Sequence, residues 1–258
     1  MLKVESDGPV LRLTLARPEV RNAFNDELIA LLTEAFTLMA RGSRVVVLQG
    51  EGKVFSAGGD LEWMRRAANY TEDQNFEDAL SLARLFESIA RCPAVVIARV
   101  HGAAFGGGAG LVASSDIAIC EPATKFAFSE VKLGLLPGTI STYVIPKIGA
   151  GHARALFATG ETFDSERALR MGLVHEVVAA DELDAAVDRK IDAVLSAGPL
   201  AVWGAKRLVL ESPVPIEDSA RRLAKARASE EGREGVAAFL EKRPATFVVE
   251  RNPDEAKS

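Results

Sequence analysis

Residues 55–61 read FSAGGDL, a run of small residues closing on an acid and a leucine, and they come directly after the β-branched stretch RVVVLQG at residues 44–50. The same order recurs downstream, where AVVIARV at residues 94–100 leads into HGAAFGGGAGL at residues 101–111. Continuous β-branched runs mark strands covered on both faces, so each place reads as a buried strand passing into a helix start. A helix N-terminus leaves backbone N–H groups unpaired and carries partial positive charge. Gly and Ala there let an anionic oxygen approach, and two such starts meeting at one oxygen would form an oxyanion hole. Close packing of strand on helix is the plainer reading of the same residues. A dinucleotide loop is a third, and the spacing speaks against it: Leu111 stands where Gly106-x-Gly108 requires another glycine.

The flanking sequence sets these two places in an α/β pattern. VLRLTLARP alternates Leu11, Leu13 and Leu15 with polar partners, as a half-buried strand does, and Pro18 ends it. NDELIALLTEAFTLMARG then sets Leu28, Leu32, Ala35, Phe36 and Met39 on one helical face, with Asn25 as N-cap and Gly42 as stop. A mostly helical stretch, residues 61–90, separates the two β-branched runs, and DIAIC and KFAFSE are short strand candidates. From Thr142 onward the pattern is helical. The expected division is a core over residues 1–195 and a C-terminal helical region over 196–258.

Composition narrows the function classes. The 258 residues carry a net charge of -5, which gives no reason to expect a nucleic-acid partner, since binding a phosphate backbone usually shows as a basic excess. Cys92 and Cys120 form no CxxC or Cys/His cluster, so neither a disulfide framework nor a zinc site is expected. The first residues lack a charged leader before an apolar segment, and no run reaches the roughly 18 apolar residues of a membrane span. A soluble cytoplasmic protein is the expectation. His101, His152 and His175 lack ligand spacing, no G-x-S-x-G elbow occurs, and Met39, Met64 and Met171 read as packing.

Four segments, FSAGGDL, HGAAFGGGAGLVASSDIAIC, FAFSEVKLGLLPG and EGREGVAAFLEKRP, stand in the order and spacing of the crotonase superfamily, the enoyl-CoA hydratases and isomerases, which this chain resembles over almost its whole length. The resemblance implies an α/β fold, a ClpP-like spiral of β-β-α units with a C-terminal helical trimerisation region, assembled as a homotrimer or homohexamer. It implies that the oxyanion-hole N–H groups come from Ala57 and Gly107 and hold the thioester oxygen of an acyl-CoA, whose enolate they stabilise most. Glu130 matches the family's catalytic glutamate. Among Phe126, Phe128, Val131 and Leu133 its carboxyl is expected to titrate high. Gly59, Asp60 and Leu61 of the first motif, with Arg17, Arg21 and Lys53, are expected at the substrate and CoA, and Phe239 and Lys242 match positions reaching a neighbouring subunit's CoA.

Gly110 departs from the pattern. Two-glutamate hydratases carry there a second glutamate that holds the attacking water, whereas the isomerases use a single glutamate at the place of Glu130. The sequence is most similar to the methylglutaconyl-CoA and carboxygeranoyl-CoA hydratase branch of leucine and isoprenoid breakdown. A second substrate carboxylate is then a ligand for Arg65 and Arg66, and Thr139 and Ser141 are candidates to position a water, although turn formation is their commoner role. The expected activity is addition of water across the α,β double bond of an enoyl-CoA. No metal or redox cofactor is implied, because coenzyme A is part of the substrate. A single-glutamate isomerase and a non-catalytic acyl-CoA binder are the alternatives.

Overall fold

Val45, Val46, Val47 and Leu48 are buried on both faces, as are Val96, Ile97 and Ala98, and these two runs form the middle of one sheet in the computed structural model, which describes residues 1–251. The strands are β1 (Leu2–Asp7), β2 (Val10–Leu15), β3 (Val45–Gly50), β4 (Val95–Val100), β5 (Ala103–Phe105), β6 (Ile117–Cys120), β7 (Lys125–Ala127), β8 (Thr162–Asp164) and β9 (Glu176–Val177). Six make a sheet in the order β1-β2-β3-β4-β6-β9, parallel except for the β1/β2 hairpin. A second sheet, β5-β7-β8, pairs β5 with β7 in parallel and β7 with β8 antiparallel.

Parallel neighbours need long crossovers, and helices supply them. α1 (Asp26–Glu34) starts at Asn25, whose side chain accepts from the Leu28 N–H as expected. The helix then widens into a π turn over Ala35–Met39, where the Ala40 N–H reaches back to the Ala35 carbonyl. Such a turn adds a residue to the repeat and rotates the side chains that come after it. Met39 is therefore 49% exposed, not packed as its spacing suggested. α2 (Leu61–Ala67) and α3 (Glu72–Ala90) bridge β3 to β4; α2 buries no residue, whereas α3 opens on a Thr71/Gln74 capping box and buries Leu85, Phe86 and Ile89. α4 (Gly107–Ser114) is buried from Gly108 to its end. α5 (Gly138–Thr159) is broken at Gly149, where φ is 76°, and α6 (Ser165–Arg170) comes after β8.

The chain divides into two units, Met1–Val187 and Asp188–Ser258, inside α7 (Leu183–Leu195) rather than at its end. The second unit continues into α8 (Pro199–Leu210), α9 (Ile216–Ala228) and α10 (Glu230–Glu241). Within it Glu231 accepts from the Leu200 and Ala201 N–H groups at 2.9 and 2.8 Å, which caps α8, and Arg243 grips Glu234 and Glu241. Val236, Phe239 and Leu240 on α10 stand exposed. No single helix among the described residues is long and apolar enough to cross a membrane.

Candidate active site

Residues 55–60 are fastened to the start of β5 on one side and to the loop before α1 on the other. Phe55 and Ser56 donate to the His101 and Ala103 carbonyls, and Phe105 donates back to Ser56. Gly58, at φ 90°, turns the segment so that its carbonyl accepts from the Phe24 N–H at 2.7 Å, while the Asp60 N–H donates to Phe24 at 2.8 Å. Peptide groups are planar and trans, so carbonyl and N–H of one peptide point opposite ways. The Ser56 carbonyl faces β5; the N–H of Ala57 therefore faces the other way and is taken by the Arg21 carbonyl at 2.9 Å. Ala57 thus supplies no free donor, contrary to the expectation. The Gly58 carbonyl faces Phe24, so the Gly59 N–H points away from that strand-like bridge, and no partner for it occurs among the described residues.

The Gly107 N–H has no partner among the described residues. Gly106, at φ 50° and ψ −120°, gives its carbonyl to the Gly110 N–H and its own N–H to Ala127, so the Gly107 N–H projects from the uncapped start of α4. The two glycine segments touch: a Cβ on Gly58 would lie 2.8 Å from the Phe105 carbonyl oxygen and 3.6 Å from the Gly107 nitrogen. A Cβ on Gly107 would lie 2.5 Å from the Phe24 ring, so the close-packing reading holds at this glycine.

Glu130 reaches the same turn. It opens a 3-10 turn after β7, and its Oε1 lies 3.3 Å from where a Gly106 Cβ would be. Its Oε2 is buried without a hydrogen-bond partner. Burial lifts the carboxyl above the ordinary range, against a smaller opposing pull from its own backbone N–H. Phe126 and Phe128 are fully buried beside it in sequence, but Leu133 is 60% exposed and takes no part in enclosing it.

Gly110 leaves no gap for a missing acid. A Cβ there would meet Ile140 Cγ2 at 2.4 Å and the Phe86 ring at 2.8 Å, so side chains from α5 and α3 fill the space a second glutamate needs. Ser141 is spent in the first turn of α5, where its hydroxyl donates to the Gly138 carbonyl at 2.7 Å.

The basic candidates separate. Arg17 is no free cation: it is an almost buried partner of Asp60 at 2.8 Å and also donates to the Ala23 carbonyl at 2.6 Å. Asp60 in turn accepts from the Glu62 N–H and starts α2. Burial pulls the Asp60 carboxyl up, yet Arg17 and the amides of Glu62 and Trp63 together hold it below the usual range. Arg21 and Lys53 do present exposed side chains, and Leu61 is 77% exposed. Arg65 pairs with Glu62 and Arg66 with Asp26, all at the surface, so neither guanidinium waits for a substrate carboxylate. Phe239 is exposed and Lys242 closes α10 in the left-handed region at φ 56°; both belong to the second unit.

Two organising residues escaped the sequence reading. Asn22 is fully buried, and its amide accepts from the Arg17 N–H and donates to the Glu51 and Val54 carbonyls. Ser56, equally buried, donates to the Asn22 carbonyl at 2.9 Å. A polar side chain at a loop corner carries no periodic signal, although Asn at positive φ, here 54°, is the residue type such corners favour.

Two unpaired backbone donors on touching glycine segments, with a carboxyl oxygen that lacks a partner at the second, suit chemistry through an enolate, and comparison with known proteins points the same way. Residues 5–250 match the family described as enoyl-CoA hydratase/isomerase. Among similar proteins are the crotonyl-CoA hydratase of Syntrophomonas wolfei, 32% identical over 95% of this chain and 96% of that protein, and the trans-2-decenoyl-[acyl-carrier-protein] isomerase of Streptococcus mutans, 31% identical over 94% and 95%. The crystal structure of an enoyl-CoA hydratase from Shewanella pealeana superposes with a TM-score of 0.90 at 40% identity, covering 95% of each chain. The fold, the glycine turns and the match across nearly the whole chain together make this protein a member of the enoyl-CoA hydratase/isomerase family of the crotonase superfamily.

Proposed function

We propose that the chain adds water across the α,β double bond of an enoyl-CoA thioester with Glu130 as its only proton-transfer group. The observation that carries this is the buried, partnerless Oε2 of Glu130 at the glycine turn that also exposes the Gly107 N–H. The thioester oxygen accepts from the N–H groups of Gly59 and Gly107. As water attacks the β-carbon, charge moves onto that oxygen, where the two fixed donors gain strength. Glu130 in its carboxyl form gives its proton to the α-carbon while its other oxygen takes one from the water, so the group ends as it began. Burial raises the Glu130 carboxyl above the ordinary range and so shifts the balance toward that form. The step needs no metal or redox cofactor, coenzyme A being part of the substrate.

A second reading has its own observation. With position 110 filled by Phe86 and Ile140, no second acid holds a water, and one carboxylate suffices to move a proton between two carbons in a double-bond isomerisation. The pH dependence separates the two. Hydration by the carboxyl form declines as pH rises past the Glu130 pKa, whereas isomerisation by the carboxylate rises. The direct test tracks the conjugated enoyl-thioester absorbance on crotonyl-CoA, 3-methylglutaconyl-CoA and a 3-enoyl-CoA, with mass analysis for added water and Glu130→Gln as control. Loss of absorbance with a gain of water supports hydration; absorbance gained only from the 3-enoyl substrate supports isomerisation. Saturable binding with no change in any substrate would leave the acyl-CoA binder.

Arg21 and Lys53 are the cations offered to the CoA phosphates. The exposed Val236, Phe239 and Leu240 on α10 support self-association as a trimer or hexamer, and two buried free thiols suit a reducing cytoplasm.

A further inference from the structure

We propose that Trp63, held by Asp78, is a positioning residue that fixes the Gly59 peptide in the oxyanion hole, an inference that rests on the assignment of the Gly59 N–H above. α2 buries no residue completely, and its Trp63 is the half-buried side chain that packs against the core. The indole stands against the site: the ring carbon Cζ3 lies 3.4 Å from where a Gly59 Cβ would be, and the Met64 sulfur lies at 3.5 Å. The ring is oriented from α3, because Nε1 donates to Asp78 Oδ1 at 2.9 Å across a half-buried contact.

The Gly58–Gly59 peptide is held from its carbonyl side, where Phe24 donates to Gly58 at 2.7 Å, and Trp63 adds a support on the side-chain face of Gly59. Its neighbours are tied through Gly58 and Asp60 to Phe24, but the Gly59 N–H has no partner among the described residues. A donor without a partner keeps its direction only if its surroundings are rigid, and rigid placement is what makes it effective at the transition state. Trp63 backs Gly59, Asp78 sets Trp63, and the Arg66/Asp26 ion pair is an exposed and weaker tie on the same helix. The Trp63 to Asp78 link thus couples α3 to the oxyanion donor.

Asp78→Leu removes the acceptor and should lower kcat about tenfold, in line with the cost of slight misplacement of a catalytic group. Asp78→Asn keeps an oxygen at Oδ1 and should restore most of the rate. Trp63→Phe should resemble Asp78→Leu, and the double variant should be no worse than either. A purely structural role would instead lower activity only in step with thermal stability, and that outcome, or an unchanged kcat in Asp78→Leu, overturns the proposal. The chain has only two tryptophans, so Trp203→Phe leaves Trp63 as sole emitter. Titration of that variant with acetoacetyl-CoA should change its emission with saturation, and Asp78→Leu should weaken the change. Normal turnover with an unresponsive Trp63 overturns this inference alone, whereas absence of both binding and turnover overturns the thioester reading and this inference with it.

Discussion

Glu130→Gln should make the protein inactive and more stable at once. The wild-type carboxyl carries one buried oxygen with no hydrogen-bond partner, and leaving a buried polar group unsatisfied costs about 1–3 kcal/mol, more when it is charged. Glutamine keeps a polar atom at that place, so only the added cost of burying the charge separates the two, and the lower figure, about 1 kcal/mol, is the appropriate one. The sign comes from the direction of the shift. The folded pKa lies above the unfolded value, which is about 4.3 for glutamate. The protonated state is therefore the one that folding favours, and wild-type stability is lost as pH rises from that value through the folded pKa. Glutamine is neutral throughout and does not lose stability as the pH rises. At about 2–4 °C per kcal/mol for a chain of this size, Glu130→Gln should melt about 2–4 °C above wild type at about pH 8, with the advantage gone near pH 4. Turnover should fall by at least about a hundredfold, the usual contribution of a positioned acid-base group. Thermal denaturation at the two pH values, beside the absorbance assay, measures both effects. A variant less stable than wild type at alkaline pH, or a gain equal at both pH values, would refute the partnerless carboxyl and with it the argument for a raised pKa.

Gly110→Glu should not create a two-glutamate hydratase. Its Cβ would strike Ile140 and Phe86, so calorimetry should show a loss of about 1–3 kcal/mol with no gain in hydration rate. Arg17→Leu leaves Asp60 buried and unpaired, and should cost about 3–5 kcal/mol in urea unfolding, part of which Arg17→Leu with Asp60→Asn recovers. Because the Asp60 pKa is depressed, the stability it lends is present above the unfolded value of about 3.9 and is lost as pH falls through the folded value, so wild type should lose more than the double variant in acid. Asn22→Ala strips partners from the Arg17 N–H and the Glu51 and Val54 carbonyls, and should cost at least about 2 kcal/mol with a fall in kcat as the loop loosens, read by urea unfolding and steady-state kinetics.

How local an interaction is decides whether the sequence shows it or conceals it. β3 and β4 are legible because a strand buried on both faces must be apolar at every position, and Val45–Leu48 and Val96–Ala98 leave no other period to read. Asn25 is legible because its cap reaches only to Leu28. The two glycine turns are evident in the sequence, but not which of their N–H groups are left unpaired. Ala57 and Gly59 differ in that the Arg21 carbonyl takes the Ala57 N–H while the Gly59 N–H has no partner among the described residues, and the directions of both are set by β5 and Phe24, far away in the chain. Arg17 looks like a ligand-binding cation because nothing near it in sequence reveals Asp60. Gly110 looks like a lost acid, yet its space is taken by Phe86 and Ile140, which reach it from two other helices. A single carboxylate is thus built into the packing of α3, α4 and α5 and is more than a local substitution. Restoring a second acid would require reshaping that three-helix contact, so the answer to which proton transfers this site performs lies in Glu130 and in the pH at which it holds its proton.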